Sequence, residues 1–326
     1  MNNTLTGTDF DKKQMLFLFA REGEHLSLQN DNVIIKDAEG KIKCQATCYR
    51  VFAIFVYGHI SVTSALIQHA KKFGFTIVLS TTGFKLYEIL GHRDVGNTLL
   101  RKKQYSYNSV DIAIHIVTNK ILNQLNMLKS IRNKTDYTKE AIEILYEYIK
   151  KIKNVKDLYE LQGYEGMASK IYFRNFYPPD IWRGRKPRIK FDMINALLDI
   201  GYTILFNFIE SILSIYGFDL YVGVMHREFY MRKSLVCDII EPFRVIIDKE
   251  VKKGINLKQF KEKDFIICNK RYILKWDKSP DYTSAFINAI MDYKTEIFLY
   301  IQMYYRCFVK NVDSSQFPVF NWGENI

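Results

Sequence analysis

Cysteine and proline are both scarce in this chain of 326 residues. The five cysteines are scattered and odd in number, and no second closely spaced pair accompanies Cys44 and Cys48. A zinc site is therefore not expected, and the pattern is typical of free, mostly buried thiols in a reducing compartment. None of the six prolines precedes Pro178, which is compatible with continuous helices between about Asn97 and that residue.

Signals for a membrane are also missing. The first thirteen residues, MNNTLTGTDFDKK, have neither the basic nor the apolar region of a signal peptide. The most apolar stretch, residues 200–218, is long enough to raise the question of a membrane span, but it contains Asn207 and Glu210. A charge at the bilayer centre is costly, so we expect a buried core helix, no membrane association and a cytoplasmic protein.

Acidic residues are outnumbered, with 35 Asp and Glu against 47 Lys and Arg, which gives a net charge of +12. Half of this excess lies in residues 170–190, where seven basic residues accompany a single acid, Asp180. A solvated surface usually mixes both signs, so the segment predicts a polyanionic partner, with a solubilising loop as the alternative. Arginine suits phosphate because its planar guanidinium binds oxyanions in bidentate fashion. The candidate phosphate-binding residues are Arg183, Arg185, Lys186 and Arg188.

The pattern of apolar residues in the first ninety positions is typical of strands. A single helix interrupts them, from Thr63 to Phe73, and Gly74 is placed to end it. The segment QNDN predicts a hairpin turn between two of the strands. The short β-branched and aromatic runs that predict strands are MLFLFA, HLSLQ, NVIIKD, YRVFAIFVYG and FTIVLS.

After Gly91 the pattern of apolar residues changes, and helical periodicity dominates from about Asn97 onward. A chain of this length has room for two domains. We therefore predict an α+β protein with a small β-rich N-terminal domain at 1–90, a hinge at 91–97 and a large all-α domain at 98–326.

One glutamate stands between glycines in the predicted helix LQGYEGMASKIYF. Taken alone, Glu165 is most simply a solvated surface residue. Gly163 and Gly166 weaken that interpretation, because a glycine inside a helix costs up to about 1 kcal/mol relative to alanine. Such a cost is tolerated where a ligand or another chain must approach the backbone closely.

A second pair of acids lies in the segment HREFYMRKSLVCDIIEPFR, residues 226–244. Ser234 is placed to cap a helix in which Asp238 and Glu241 share one face. Pro242 should bend that helix beside the two acids, because it removes a backbone N–H.

Like charges on one face need a positive partner, and two candidates exist. Arg244 could provide it from the same segment, and so could a bound divalent ion. His226 precedes the helix, and a Glu, a His and a second acid form a reasonable ligand set for Mg²⁺ or Mn²⁺. The imidazole favours Mn²⁺, but the spacing alone leaves the choice between arginine and metal open.

Four blocks of the sequence, taken together, resemble the CRISPR-associated integrase and endonuclease of spacer acquisition, the CRISPR-associated protein one family. They occur in one order over nearly the whole chain. The departures from the family pattern, Leu220, Met225 and Met231, do not touch the candidate ligands. The blocks are GHISVTSALIQHAKKFGFTIVLSTTG, LLRKKQY, GYEGMASKIYF, and NALLDIGYTIL followed by GVMHREFYMRKSLVCDIIEPFR.

The resemblance implies roles for individual residues. The metal ligands of the family fall on Glu165, His226 and Glu241, and Asp238 is the neighbouring acid, a catalytic residue or alternate ligand. Arg101 and Gln104 match an Arg-x-x-Gln element of the family and are added to the DNA-binding candidates.

The resemblance also implies an architecture and an activity. The N-terminal domain is expected to be β-sandwich-like and to help form a homodimer, and the helical domain to be catalytic and DNA-binding. Two homodimers would flank a dimer of CRISPR-associated protein two. With Mg²⁺ or Mn²⁺, the assembly would insert short duplex DNA into a CRISPR repeat by 3′-hydroxyl attack on a phosphodiester.

Two other functions remain open on the sequence, a non-catalytic DNA-binding scaffold and a metal-dependent nuclease that cuts without joining. The aromatic C-terminal segment SSQFPVFNW, residues 314–322, is another open question. It could dock on a partner protein or pack on its own domain.

Overall fold

A computed structural model gives the fold and describes residues 13–20, 23–81, 86–91, 97–178 and 181–323. The N-terminal part is built from strands with one helix, α1, between the fifth and sixth of them. The elements are β1 (Gln14–Phe19), β2 (His25–Gln29), β3 (Asn32–Lys36), β4 (Ile42–Thr47), β5 (Val51–Tyr57), α1 (Ser64–Phe73), β6 (Thr76–Ser80) and β7 (Leu86–Gly91).

The strands form two sheets, as the predicted β-rich domain requires. One sheet has the order β1-β5-β6-β7, in which β1, β5 and β6 are parallel and β7 is antiparallel. Every described side chain of β5 and β6 is buried, as is usual for parallel strands that are covered on both faces. The other sheet is antiparallel with the order β2-β3-β4.

Local signals explain the turns of this domain. Asn30 and Asp31 join β2 to β3 and both have positive φ, the backbone that a two-residue hairpin loop requires. The Thr63 hydroxyl accepts a hydrogen bond from the amide of Leu66 at the start of α1, and Gly74 ends the helix with a φ of 72°. Side chains from both sheets and from α1 then form one core cluster, so the arrangement is sandwich-like.

The rest of the chain is mainly helical. A hairpin of two short strands, β8 (Phe265–Cys268) and β9 (Arg271–Leu274), interrupts the helices. The helices are α2 (Thr98–Ser106), α3 (Asp111–Lys129), α4 (Asp136–Ile152), α5 (Leu158–Phe176), α6 (Met193–Ile215), α7 (Ser234–Ile239), α8 (Arg244–Asn256), α9 (Ser279–Met291) and α10 (Lys294–Lys310).

The chain divides into two compact units. One contains the residues up to Arg101 together with Asn207–Phe218, and the other contains Lys102–Phe206 and Asp219–Ile326. Residues 92–96 of the predicted hinge lie outside the described residues, so that boundary stays a prediction.

Helix α6 is the apolar stretch that raised the question of a membrane span. Over Met193–Ser214 it is long and apolar enough to cross a bilayer, with a mean hydropathy of 1.5, but 83% of that window is buried inside the fold. Such burial agrees with the predicted core helix.

Candidate metal centre

Two of the three predicted metal ligands meet at one lysine. Glu165 lies in α5, and Glu241 lies in a single 3₁₀ turn, Glu241–Phe243, between α7 and α8. The ammonium of Lys120, in α3, is 2.6 Å from Oε2 of Glu241 and also binds Oε1 of Glu165. The two carboxylates therefore converge on a single positive charge.

The surroundings keep this cluster charged. Burial opposes ionisation of Glu241, but attraction to Arg244 and Lys120 outweighs it, so the pKa of Glu241 is far below its usual range. Burial also disfavours the Lys120 ammonium, yet Glu165 and Glu241 raise its pKa above the ordinary value. Arg244 holds Glu241 with two hydrogen bonds of 2.9 and 3.0 Å. Arg244 is the residue that the sequence suggested, as an alternative to a metal ion, for neutralising the two acids.

Glu165 is the more accessible of the two carboxylates, with 20% of its side chain exposed against 5% for Glu241. The hydroxyl of Ser169, one turn later, donates to Oε1 of Glu165 at 3.0 Å. The space beside Gly163 and Gly166 is open, since a Cβ at either position would meet nothing within 4 Å. A ligand can therefore approach α5 next to Glu165.

Asp238 is fully buried and organises the turn that carries His226. Its carboxylate accepts hydrogen bonds from the amides of Val224, Met225 and His226 at 2.6, 3.0 and 2.9 Å. Its Oδ1 is also 2.6 Å from Nδ1 of His226. Such a carboxylate fixes the ring and leaves Nε2 as the nitrogen that would bind a metal. Asp238 thus has the geometry of an orienting residue.

A glycine makes room for this arrangement. A Cβ at Gly223 would lie 2.5 Å from Oδ2 of Asp238 and 2.9 Å from the carbonyl oxygen of His226. Any larger residue would displace the carboxylate. The other end of the loop is exposed, including the side chains of Phe229, Tyr230 and Met231.

The acidic segment differs from the prediction in two respects. Asp238 and Glu241 do not share one helix, because Glu241 lies in the turn after α7, and the two acids bind different partners. Helix α7 ends at Ile239, and the turn containing Pro242 separates it from α8, so the predicted interruption is present. Ser234 is not the cap. It is the first residue of α7, and its hydroxyl donates to the carbonyl of Arg227 at 3.1 Å. The hydroxyl of Ser234 therefore bonds to the loop before the helix instead of capping α7.

The basic segment is anchored to the first turns of α6. Arg185 donates to Asn195 at 2.9 Å and to Asp199 at 2.7 Å, and its guanidinium lies 5.5 Å from the centre of the Tyr202 ring. Asp192 accepts a hydrogen bond from the amide of Asn195 and so caps the start of α6. Arg185 is thus a structural anchor, while the neighbouring basic side chains are exposed, namely Arg183, Lys186 and Arg188.

The Arg-x-x-Gln element lies against the chain that follows α6. Arg101 donates to the carbonyl of Gly217 at 3.3 Å. The amide of Gln104, 5% exposed, donates to the carbonyl of Asp219 at 3.0 Å and accepts from its N–H at 2.8 Å. These contacts hold the backbone before the His226 turn, and the predicted contact of Arg101 and Gln104 with DNA stays a prediction.

A buried tyrosine cluster lies behind Arg244. The Tyr202 hydroxyl donates to Oδ1 of Asp248, and the Tyr177 hydroxyl donates to the Asp248 carbonyl at 3.1 Å. Burial raises the pKa of Asp248 to about 6, although the hydrogen bond from Tyr202 opposes this. Arg244 lies over the Tyr202 ring at 4.6 Å. The cluster therefore positions the arginine that holds Glu241.

The C-terminal segment packs on its own domain. Asn119 donates to the carbonyl of Phe320 at 2.8 Å and accepts from its amide at 2.9 Å. Asn123 donates to the carbonyls of Phe320 and Pro242 and accepts from the amide of Trp322. Both asparagines lie in α3, beside Lys120, so the tail is part of the support of the site.

Sequence reasoning did not identify Lys120, Asn119 or Asn123. A signal was present, because these three polar residues lie within five positions of one helix, among apolar residues of its buried face, and all three are buried. Buried polar groups almost always have partners. A lysine flanked in this way predicts a buried ion pair, although its partners cannot be read from the sequence.

The side chains present are of the kind that binds a hard divalent ion. They are not, however, arranged around a single metal position. Two converging carboxylates and one oriented imidazole are a fitting set for Mg²⁺ or Mn²⁺. Within the described ranges, however, no group of three or more His, Cys, Asp or Glu side chains is arranged to hold a metal. Lys120 takes the position where Glu165 and Glu241 meet.

The sequence matches a family model described as CRISPR associated protein Cas1, over residues 17–288. A curated relative, CRISPR-associated endonuclease Cas1 1 of Thermodesulfovibrio yellowstonii, is 30% identical over 226 residues. The match covers 65% of this chain and 71% of the relative.

Two solved structures share the fold. A chain of a Cas6-RT-Cas1–Cas2 complex gives a TM-score of 0.78 at 21% identity, over 95% of this chain. This chain spans about a third of that longer chain, 36% of its length. A casposase bound to integration product gives a TM-score of 0.74 at 21% identity, over 95% of this chain and 94% of that one. Because the family model covers well over half of the sequence, the chain belongs to the Cas1 family of CRISPR-associated proteins.

Proposed function

We propose that the protein is a divalent-metal-dependent DNA integrase and endonuclease of CRISPR adaptation. It would join the 3′-hydroxyl ends of a short duplex to a CRISPR repeat. The observation that carries this proposal is the convergence of Glu165 and Glu241 on one positive charge, with His226 oriented by Asp238. Curated relatives named as endonucleases support it.

Glu165, Glu241 and Nε2 of His226 would hold Mg²⁺ or Mn²⁺. The bound ion would neutralise charge on the scissile phosphate and make a hydroxyl or water nucleophilic. Asp238 keeps the imidazole in one orientation, and Arg244 keeps Glu241 in place. The exposed basic residues Arg183, Lys186 and Arg188 would bind the phosphate backbone, which gives affinity without sequence readout.

The proposed assembly contains a homodimer of this chain and a dimer of CRISPR-associated protein two. The shared fold with a chain from a complex that contains Cas2 supports this partner. Likewise, the shared fold with a casposase bound to integration product supports joining as well as cutting. The net charge of +12 suits a DNA partner.

The test is a joining assay with the purified protein, a 3′-hydroxyl duplex and a repeat-containing plasmid, in Mn²⁺ or Mg²⁺, with and without CRISPR-associated protein two. Glu165→Gln and His226→Ala should each lower the rate of joining at least about 100-fold and leave the Kd for DNA nearly unchanged. Glu160→Gln, an exposed residue of the same helix, is the matched control.

Three outcomes separate the competing functions. Normal joining by both variants would show that the metal assignment is wrong. Cutting without joining by the parent protein would support the nuclease. DNA binding with neither activity, in either ion and with the partner present, would support the scaffold.

A further inference from the structure

Lys120 is placed where the two glutamates need a positive charge. Its side chain is only 7% exposed, and its ammonium binds Glu165 from α5 and Glu241 from the turn after α7. The partners lie in two separate elements, so the lysine joins them across the site. A buried charge is tolerated only when it is paired in this manner.

The charges of the cluster are already balanced. Glu165 and Glu241 contribute two negative charges, and Lys120 and Arg244 contribute two positive charges. A divalent ion bound by the same carboxylates would leave this partly buried cluster with two excess positive charges. Release of one of the two basic side chains when the ion binds would lower that excess to one positive charge.

The geometry indicates which one moves. Arg244 is held by two hydrogen bonds to Glu241 and by the face of Tyr202, an arrangement that its rigid planar group favours. Lys120 has a point charge on a flexible four-carbon chain and lies between the two carboxylates. Its position, and not that of Arg244, coincides with the meeting point of the two glutamates.

We propose that Lys120 is an internal counter-ion that holds Glu165 and Glu241 together in the metal-free protein and is displaced when a divalent ion binds. The inference rests on the proposed metal site and deepens it. It assigns Lys120 a positioning role. It also explains why no three-ligand group is assembled among the described residues.

The first test measures Mn²⁺ binding by calorimetry in the parent protein and in Lys120→Met, which keeps the length of the side chain and removes its charge. Because the variant has no competing ammonium, its Kd for Mn²⁺ should be at least about tenfold lower. Without metal its Tm should fall, since the glutamates lose their counter-ion, and Mn²⁺ should raise that Tm by more than it raises the parent's.

Lys139→Met is the matched control, because Lys139 forms an exposed pair with Asp136 away from the site. Its Kd for Mn²⁺ should equal that of the parent. An unchanged or higher Kd in Lys120→Met, with a native circular dichroism spectrum, would overturn the proposal.

The second test uses the unmodified chain and does not depend on the folding of a variant. Reductive methylation followed by peptide mass spectrometry reports how accessible each lysine is. Labelling of Lys120 should be low without metal and should rise several-fold with Mn²⁺, relative to Lys139. Equal labelling of Lys120 in both conditions would show that it stays in place and would contradict the proposal.

Failure of this inference can be told apart from failure of the proposed function. If Glu165→Gln binds Mn²⁺ as tightly as the parent, the metal site itself is wrong and the role of Lys120 falls with it. If Mn²⁺ binding requires Glu165 but neither Lys120 test responds, only the displacement of Lys120 is refuted.

Discussion

The Nδ1 atom of His226 lies 2.6 Å from Oδ1 of Asp238, a carboxylate that also accepts three backbone N–H groups. This relationship divides the acids of the segment by role. The carboxylate of Asp238 accepts hydrogen bonds from the loop and contacts the imidazole, whereas Glu241 forms ion pairs with Lys120 and Arg244. An acid that accepts these hydrogen bonds has the geometry of a residue that orients the imidazole.

Asp238→Asn should therefore lower both stability and joining. An amide at this position would place N–H donors against the backbone N–H groups of the loop, so we expect the free energy of unfolding to fall by about 2–4 kcal/mol. His226→Ala should lower joining with much less effect on stability. Urea unfolding measures the difference, and Glu228→Gln, exposed in the same loop, is the control. Equal stability of Asp238→Asn and the parent would contradict the structural role.

The buried carboxyl of Asp248 predicts a specific pH dependence. Its pKa is about 6 in the folded protein and about 3.9 in an unfolded chain, so the folded state binds the proton more tightly. The stability that this group contributes is fully present below about pH 4 and is lost as the pH rises through 6. The parent should lose about 3 kcal/mol relative to Asp248→Asn across that window.

Urea unfolding at several pH values measures the difference between the two proteins. A second variant, Tyr202→Phe, tests the cause, because the Tyr202 hydrogen bond lowers the pKa of Asp248. Without it that pKa should rise, and the loss of stability should extend to higher pH. A parent-minus-variant difference that stays flat between pH 4 and 7 would refute the assignment.

The basic segment should separate into DNA-binding and structural residues. Changing Arg183, Lys186 and Arg188 together to alanine should weaken DNA binding and reduce the salt slope by up to about 0.9 per lost phosphate contact. Stability should change by less than about 0.5 kcal/mol per residue. Arg185→Ala should instead cost about 1–3 kcal/mol of stability, because Asp199, 12% exposed, loses its ion-pair partner and keeps the amide of Arg188.

Filter binding at several salt concentrations measures the first effect, and urea unfolding measures the second. Changing Lys139 and Lys150, exposed lysines of α4, serves as a control for loss of charge elsewhere. If the triple variant has the same salt slope as the parent, the segment does not bind phosphate and is a solubilising loop.

The packed C-terminal segment predicts a stability effect without any partner protein. Asn123→Ala should lower the free energy of unfolding by about 3 kcal/mol, because the Pro242 carbonyl and the Trp322 amide lose this partner. The Phe320 carbonyl loses one of its two donors and keeps Asn119. Asn126→Ala, half-buried on the same helix, should cost much less. Deletion of residues 317–323 should lower the Tm of the isolated chain, and an unchanged Tm would favour docking on a partner.

Two strands of the β-rich part, β4 and β7, were not predicted from the sequence, although the edge strands β1 and β2 were. Both β4 and β7 lie at the edge of their sheets, and β4 buries only Ala46. An edge strand need not present a continuous apolar run, so segments such as KIKCQAT resemble loops. The central strands β5 and β6 are buried throughout and were predicted from composition alone.

The site was predictable only in part. Residue type and the family resemblance selected Glu165, His226 and Glu241, and the structure brings the two glutamates together. The bond between Lys120 and Glu165 spans 45 residues of sequence, and helical periodicity carries no information about such a partner. The preference for Glu241 over Asp238 as a ligand came from the resemblance and stays a prediction, whereas the hydrogen bonds of Asp238 to its loop could not be read from the sequence.

Gly223 has a consequence for how this loop can vary over evolutionary time. A side chain there would collide with Asp238, so the base of the loop has almost no freedom to accept mutations. Its tip, from Phe229 to Met231, is exposed, and of these three residues Met231 alone has a positive φ, 56°. We expect descendants of this chain to diversify at the tip, where the surface near the imidazole can be reshaped while the setting of His226 is inherited unchanged.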